Sequence, residues 1–208
     1  MGEYSNTVFI NCPFDESYGE IQNYIIFTIL YLKFDVKIAS QVQGSEHNRL
    51  SKIQDMIGSA QYSIHDISRL QAAKKGEFYR LNMPLELGMD IGAKRYAKEY
   101  CEKKFLIFES EKYSAQKAAS DLNGLDPKAH EDVAEKAMQI VRDWLENIKR
   151  SRADGAERIQ GAYLEFMEVF YQNRRDRGFN EERALAATTG ELIDDMKYWV
   201  EHKRLPES

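Results

Sequence analysis

A glutamate that follows a proline by two residues is the first candidate for chemistry in this chain. Pro84 is tolerated only in the first turn of a helix, so the segment LNMPLELG predicts a helix that begins near Asn82 or Met83. Glu86 is then expected in the first turn, where the helix dipole would keep its carboxylate ionised near neutral pH. Such a carboxylate suits attack on a sugar cation, or its stabilisation. The alternative is a glutamate that only satisfies the helix dipole.

A second carboxylate, Asp66, ends the apolar segment QYSIHD, which is predicted to be a strand. At the end of a parallel strand it would face a ligand crevice and could bind sugar hydroxyls or handle a proton on a leaving base. An aspartate that only caps a turn is an equal alternative. His65 fits a packed strand residue better than a catalyst. Arg69 and Arg80 are expected near the opening of the same ligand crevice, where each could pair with a phosphate or remain a solvated loop charge.

The segment NCPFD follows the first predicted strand and should be stiff. Pro13 restricts Cys12 to extended backbone geometry. Phe14 and Tyr18 could stack on a base, although sealing the edge of the core is the simpler interpretation. No histidine is placed to activate Cys12, so a small buried residue is favoured over a nucleophile.

Two glycines stand four residues apart on one face of the Glu86 helix. Because glycine weakens a helix, Gly88 and Gly92 predict a close approach at this face. The sheet backbone, a bound nucleotide or a neighbouring subunit would each account for them.

These groups depend on alternating strand and helix patterns for their position. Apolar runs predict strands at 7–12, 36–40, 61–66 and 104–110, and helical spacing predicts helices at 16–33, 47–59 and around Glu86. The alternation predicts an α/β fold with a parallel sheet covered on both faces. Ligands bind beyond the carboxyl ends of such strands. That edge would gather Asn11, Cys12, Pro13, Phe14, His65, Asp66, Asn82 and Glu86.

The last third of the chain has helical patterns only. Apolar stripes predict helices at 131–149, 154–172 and 181–202, and the polar stretch SRADG is the best linker. The sequence therefore predicts an α/β domain over 1–150 and a helical hairpin extension over 151–208. This extension would pack on the sheet domain or on a partner chain.

Length, charge and cysteine content exclude several classes of protein. The 208 residues suffice for one domain with a small helical addition, and the formal net charge of −5 argues against a nucleic-acid partner. The two cysteines, Cys12 and Cys101, fit neither a disulfide framework nor a zinc site, so we expect a reduced, cytoplasmic protein without a metal. No signal peptide, membrane span, phosphate loop, dinucleotide fingerprint or serine-hydrolase elbow is found.

Four blocks of the chain resemble one bacterial family. VFINCPFDESY, SIHDISR, FYRLNMPLELGMDIGAKR and SDLNGLDPKAHEDVAEKAMQIVRDWL look like TIR-like, nucleoside 2-deoxyribosyltransferase-like domains. The resemblance implies a flavodoxin-like sheet, with Glu86 at the position of the transferases' nucleophile and Asp66 at that of an aspartate that contacts the nucleoside. Asn82–Met83 replace a small Gly-Thr pair. Arg80 replaces a further aspartate, and an arginine there favours a phosphorylated ligand.

The resemblance implies a nucleotide N-glycosidase, with NAD as one candidate substrate and bacterial antiphage defence as the setting. Glu86 would act at C1′ of the ribose while Asp66 orients the sugar. Phe14 and Tyr18 would lie against the base, and one of the two arginines would bind phosphate. The nucleotide would be substrate or ligand, and no separate cofactor is expected.

Two alternatives belong to other classes. One is a TIR-like signalling or assembly module that senses a nucleotide without turnover. The other is a nucleoside 2-deoxyribosyltransferase of salvage, which would exchange bases between nucleosides. A homo-oligomer is expected for each, because relatives in this superfamily often complete their site across an interface.

Overall fold

Five parallel strands form the centre of the computed structural model, which describes residues 3–39, 49–70 and 81–206. The strands are β1 (Thr7–Asn11), β2 (Asp35–Ile38), β3 (Tyr62–Asp66), β4 (Lys104–Glu109) and β5 (Lys128–Ala129). The helices are α1 (Gly19–Tyr31), α2 (Arg49–Gly58), α3 (Asn82–Tyr96), α4 (Ser114–Ala118), α5 (Ala134–Lys149), α6 (Ala156–Asp176), α7 (Glu181–Leu185) and α8 (Thr189–His202). Short 3-10 turns connect several of them.

The strand order is β2-β1-β3-β4-β5, and every pair is parallel. This is the flavodoxin-like arrangement, so the predicted fold class is confirmed. The chain runs from β1 outward to β2 and then crosses back to β3 on the other side of β1. The carboxyl ends of β1 and β3 therefore flank the point where the direction of winding reverses, which is where ligands bind in open α/β sheets.

Helices cover both faces of the sheet. α1 and α5 pack on one face, and α2 and α3 pack on the other. β1 and β3 are buried along their whole length, which explains why they are apolar runs without alternation. Their burial on both faces fixes the strand ends that carry the candidate residues.

The C-terminal helices continue the core of the α/β domain. α1 is apolar around its circumference because its inner side faces the sheet and its outer side faces α6 and α8. The ring of Phe27 lies 5.3 Å from that of Tyr163 and 5.8 Å from that of Trp199, measured between centroids. The extension thus packs on the sheet domain. In the described ranges, no helix combines the length and the apolar content that a bilayer span requires.

Three local predictions differ from the structure. β5 was not predicted, because it has only two residues and shows no pattern. α4 was not predicted either, since it is a single short helix. The helix predicted over 181–202 is broken into α7 and α8. Thr188 starts α8 with a capping box in which its hydroxyl accepts from the Glu191 amide and the Glu191 carboxylate accepts from the Thr188 amide.

Candidate functional site

Glu86 lies at the carboxyl edge of the sheet, on the inner face of α3. It is the fifth residue of the helix, which begins at Asn82 as predicted, so Glu86 stands in the second turn and not in the first. With Met83 and Asp90 it belongs to the buried side of α3, which contacts β1 and β3. Only 5% of Glu86 is exposed. In the described part of the chain, no hydrogen bond or ion pair reaches its carboxyl.

The charge state of Glu86 differs from the prediction. Burial raises its pKa to about 7, and the Arg49 guanidinium at the start of α2 opposes that rise. The helix dipole contributes about 1 kcal/mol at most in exposed positions and fades beyond the first turn. Desolvation instead penalises the charged form wherever the group is buried. The carboxyl is therefore divided between its acid and carboxylate forms near neutral pH, and the expected fully ionised state is wrong.

Asp66 is fully buried, and protein groups occupy both of its oxygens. Its Oδ2 accepts from the Tyr18 hydroxyl at 2.5 Å and from His130 Nε2 at 3.0 Å, and its Oδ1 accepts from the Ser68 amide at 2.8 Å. Burial would raise the pKa of Asp66, but the bonds from His130, Ser68 and Tyr18 hold it below its ordinary value. In this arrangement neither oxygen can reach a sugar, so Asp66 can only position other groups.

The groups around Asp66 belong to the interior as well. His130 Nδ1 accepts from the Asp132 amide at 3.0 Å, so Nε2 carries the proton that is donated to Asp66. Tyr18 is fully buried and packs edge-on against the His130 ring. Burial, reinforced by Asp66, raises the pKa of Tyr18 well above its ordinary value. Its ring therefore seals the core and has no exposed face for a base.

Arg69 joins three loops at the sheet edge. Its guanidinium lies 3.6 Å from Asp15 and 3.2 Å from Asp132, and it also contacts the Ser17 hydroxyl at 3.4 Å. These partners come from the loops after β1 and β5. A phosphate would have to compete with two carboxylates for Arg69. The second predicted phosphate ligand, Arg80, lies outside the described residues.

Asn11 and His65 take part in a buried polar chain. Asn11 Nδ2 donates to His65 Nδ1 at 3.0 Å and to the Met83 carbonyl at 2.9 Å. His65 Nε2 lies 3.0 Å from Asp90 Oδ2, and Asp90 Oδ1 lies 3.2 Å from Lys103 Nζ. All four side chains of this Asn11–Lys103 chain are buried. Asn11 and His65 are thus bound within the protein, and His65 is the packed strand residue that its sequence position favoured.

Cys12 is a buried thiol directly after β1. Burial raises the pKa of the Cys12 thiol, against a hydrogen bond from Gln22, and Asp66 and Glu86 raise it further. Gln22 Nε2 donates to Cys12 Sγ at 3.3 Å. The thiol is an inert, buried group, in agreement with the sequence prediction. Asp66 ends β3 and Glu86 lies near the start of α3, so both belong to the same edge of the sheet. Among the described residues, Asp66 has internal hydrogen-bond partners and Glu86 has none.

Two of the predicted ligand contacts remain accessible. Phe14 is 45% exposed beyond β1, while Pro13 before it is buried and holds the loop in place. Asn82 is exposed at the first position of α3. Phe14 is therefore the aromatic side chain that can meet a ligand, and Asn82 marks a helix start that can face an anion.

A cavity of about 660 Å³ opens beside the start of α3, at the carboxyl ends of β3 and β4. Its wall combines apolar side chains with hydroxyl groups, two cations and the carboxylate of Glu111. The polar wall includes Ser68, Arg69, Ser110, Ser114 and Lys117, and Pro84 contributes from α3. Glu86 is not among the residues that line this cavity, which meets α3 at Pro84 and, just before the helix, at Leu81.

Three residues of the site were not predicted from the sequence. His130, Asp90 and Lys103 each have their partner far away along the chain or on another element. For Asp90 a signal existed, since a charge one turn after Glu86 falls on the buried side of the same helix. For His130 and Lys103, which flank short or isolated strands, the sequence holds no comparable signal.

Comparisons with protein-family profiles, with curated proteins and with solved structures find no match to this chain. In the described residues, His, Cys, Asp and Glu side chains form no group of three that could hold a metal ion. The family resemblance therefore stays a prediction, and the argument for function depends on the geometry around Glu86.

Proposed function

We propose that this protein cleaves the N-glycosidic bond of a nucleotide, with Glu86 as the carboxylate that meets the anomeric carbon. The observation that carries the proposal is the environment of the Glu86 carboxyl. It is almost fully buried at the winding reversal, it has no hydrogen-bond partner in the described residues, and its pKa is raised to about 7. Titratable groups with perturbed pKa values and no structural partner are typical of reactive sites.

The proposed cleavage depends on a carboxylate that is shielded from water. Ionised Glu86 would attack C1′, or stabilise the positive charge there, while the bond from C1′ to the base nitrogen breaks and its electron pair leaves with the base. Water would then add to C1′, displacing the Glu86 carboxylate where a covalent bond had formed, and would lose a proton to solvent. The products are the free base and the ribosyl remainder with a hydroxyl on C1′, which is a ribose phosphate from a monophosphate and ADP-ribose from NAD. Low local dielectric strengthens the attraction between the carboxylate and the sugar cation.

The internal pairing of Asp66 narrows the substrate class. Most glycosidases use a second carboxyl group to protonate the leaving group. Asp66, the predicted second carboxylate, is occupied by Tyr18 and His130. A base that carries a positive charge in the substrate, as a pyridinium ring does in NAD, leaves as a neutral molecule and needs no proton. Pyridinium nucleotides are therefore the leading substrates.

Phe14 and the start of α3 are the proposed ligand contacts. The exposed ring of Phe14 offers a stacking surface for the base. The amide groups at the start of α3, beside Asn82, favour a phosphate. Asp66 and Arg69 would hold the loops that carry these contacts.

The test is to incubate purified protein with NAD, and separately with nucleoside monophosphates, and to follow free base by chromatography. We expect base release with the parent protein and a loss of about 10³-fold or more in Glu86→Gln, which keeps shape but removes the charge. Glu168→Gln, an exposed residue on α6, is the matched control and should keep full activity. Base release by Glu86→Gln at the parent rate would contradict the proposal.

A nucleotide-binding module without turnover is the second candidate. The internal pairing of Asp66 favours this candidate, because Asp66 is the predicted proton donor and is already bound by Tyr18 and His130. Calorimetry that shows tight NAD binding without free base would support this candidate. Exchange of bases between two nucleosides would instead indicate a transferase.

A further inference from the structure

The Asn11–Lys103 chain has fixed directions of donation. The Asn11 amide group uses one hydrogen for the Met83 carbonyl and the other for His65 Nδ1. Because Nδ1 accepts, the His65 proton sits on Nε2 and is donated to Asp90. The imidazole is thus held as one neutral tautomer by groups on both of its sides.

The far end of this chain anchors a second helix. Lys103 Nζ donates to the Ile57 carbonyl at 2.8 Å and to the Ala60 carbonyl, at and just beyond the carboxyl end of α2. The near end reaches the Met83 carbonyl, one turn before Glu86. The chain therefore joins β1 and β3 to α2 and α3. These two helices carry Arg49 and Glu86.

Packing alone does not account for these buried groups. A buried ion pair gives little net stability compared with apolar side chains of the same volume, because each charge must leave water. A buried polar network instead specifies the arrangement of the elements that it joins. The elements joined here are those that determine where the carboxyl of Glu86 lies.

We propose that Asn11, His65, Asp90 and Lys103 are positioning residues for Glu86, which they hold at the sheet edge by fixing the start of α3 and the end of α2. This inference rests on the proposed function for its biological purpose, but its geometry can be tested without any substrate. Loss of the chain would let the start of α3 shift and admit water to the carboxyl.

The experiment measures the titration of Glu86 by NMR in protein labelled at glutamate side-chain carbonyl carbons, with Glu86→Gln identifying the signal. Asn11→Leu removes both amide bonds at similar volume, and His65→Gln keeps a donor towards Asp90 but removes the acceptor for Asn11. In both variants the Glu86 pKa should fall from about 7 towards its ordinary value of 4.5. Thr28→Val, which loses a buried hydrogen bond on the other face of the sheet, should leave it unchanged.

Circular dichroism and thermal melts establish which variants fold. If Asn11→Leu does not fold, the titration of Glu86 in His65→Gln provides the test. A folded variant whose Glu86 titrates as in the parent would overturn the positioning proposal, even if the parent cleaves NAD. A shifted titration supports the proposal, even if no base is ever released. Where cleavage is observed, its pH profile should move to lower pH in step with the titration.

Discussion

Asp66 and Glu86 are buried carboxyl groups at one edge of one sheet, yet their surroundings differ. Asp66 accepts three hydrogen bonds and has a pKa below its ordinary value. Glu86 has no partner in the described residues, and burial raises its pKa to about 7. Burial alone would raise both pKa values, so the supply of donors decides which group stays ionised. The partnered carboxylate holds loops together, and Glu86, without a partner among the described residues, is the group that we propose acts on a ligand.

The largest effect should come from removing the partnered group. Asp66→Ala leaves the Tyr18 hydroxyl and the His130 ring buried without an acceptor, so the free energy of unfolding should fall by about 3 kcal/mol. Because the folded pKa of Asp66 is depressed, its contribution is present above the unfolded value of 3.8 and is lost as pH falls through the folded pKa. Urea unfolding at neutral pH measures the stability lost in Asp66→Ala, and urea unfolding at acidic pH measures how the contribution of Asp66 depends on pH. A loss below about 0.5 kcal/mol would mean that Asp66 is not held as described.

Replacement of Glu86 should raise the free energy of unfolding, whereas replacement of Asp66 should lower it. Glu86 has a raised folded pKa, so the free energy of unfolding falls as pH rises from 4.5 to about 7 and levels off above that. Glu86→Gln should therefore stabilise the protein by about 3 kcal/mol above pH 7 and have little effect near pH 4. Urea unfolding of both proteins at several pH values checks this. A stabilisation that does not change with pH would remove the contrast with Asp66.

Tyr18→Phe sharpens the comparison by taking away one donor. Asp66 keeps the bonds from His130 and Ser68, so we expect a loss of about 1.5 kcal/mol in the free energy of unfolding, typical of a hydrogen bond to a charged acceptor. The midpoint of acid unfolding should move to higher pH, because Asp66 becomes easier to protonate. Tyr171→Phe, on the half-exposed surface of α6, is the control.

The smallest effect concerns the face of α3 turned away from Glu86. A Cβ on Gly88 or Gly92 would meet nothing within 4 Å among the described residues, so the sheet backbone is not what approaches them. In an isolated molecule, Gly88→Ala should stabilise the helix by about 0.7 kcal/mol. Thermal melts at two protein concentrations test this. A destabilisation that grows with concentration would show that a second molecule packs here, as expected for a homo-oligomer.

The sequence predicted what depends on long local patterns. Apolar runs located β1 to β4, and Pro84 located the start of α3. The protonation of Glu86 was not predictable, because desolvation depends on how α3 lies against the sheet. The partner of Asp66 was not predictable either, since His130 is 64 residues away and follows a strand of two residues. Position along an element is a local property, whereas the environment of a side chain is set by contacts between elements.

The burial of α1 on both sides has a consequence for biosynthesis. Along the chain, α1 ends at Tyr31, whereas α6, which with α8 covers its outer side, begins only at Ala156. During synthesis the outer side of α1 therefore stays uncovered until α6 and α8 have left the exit tunnel. Chaperones that recognise exposed apolar segments would be engaged before those two helices emerge.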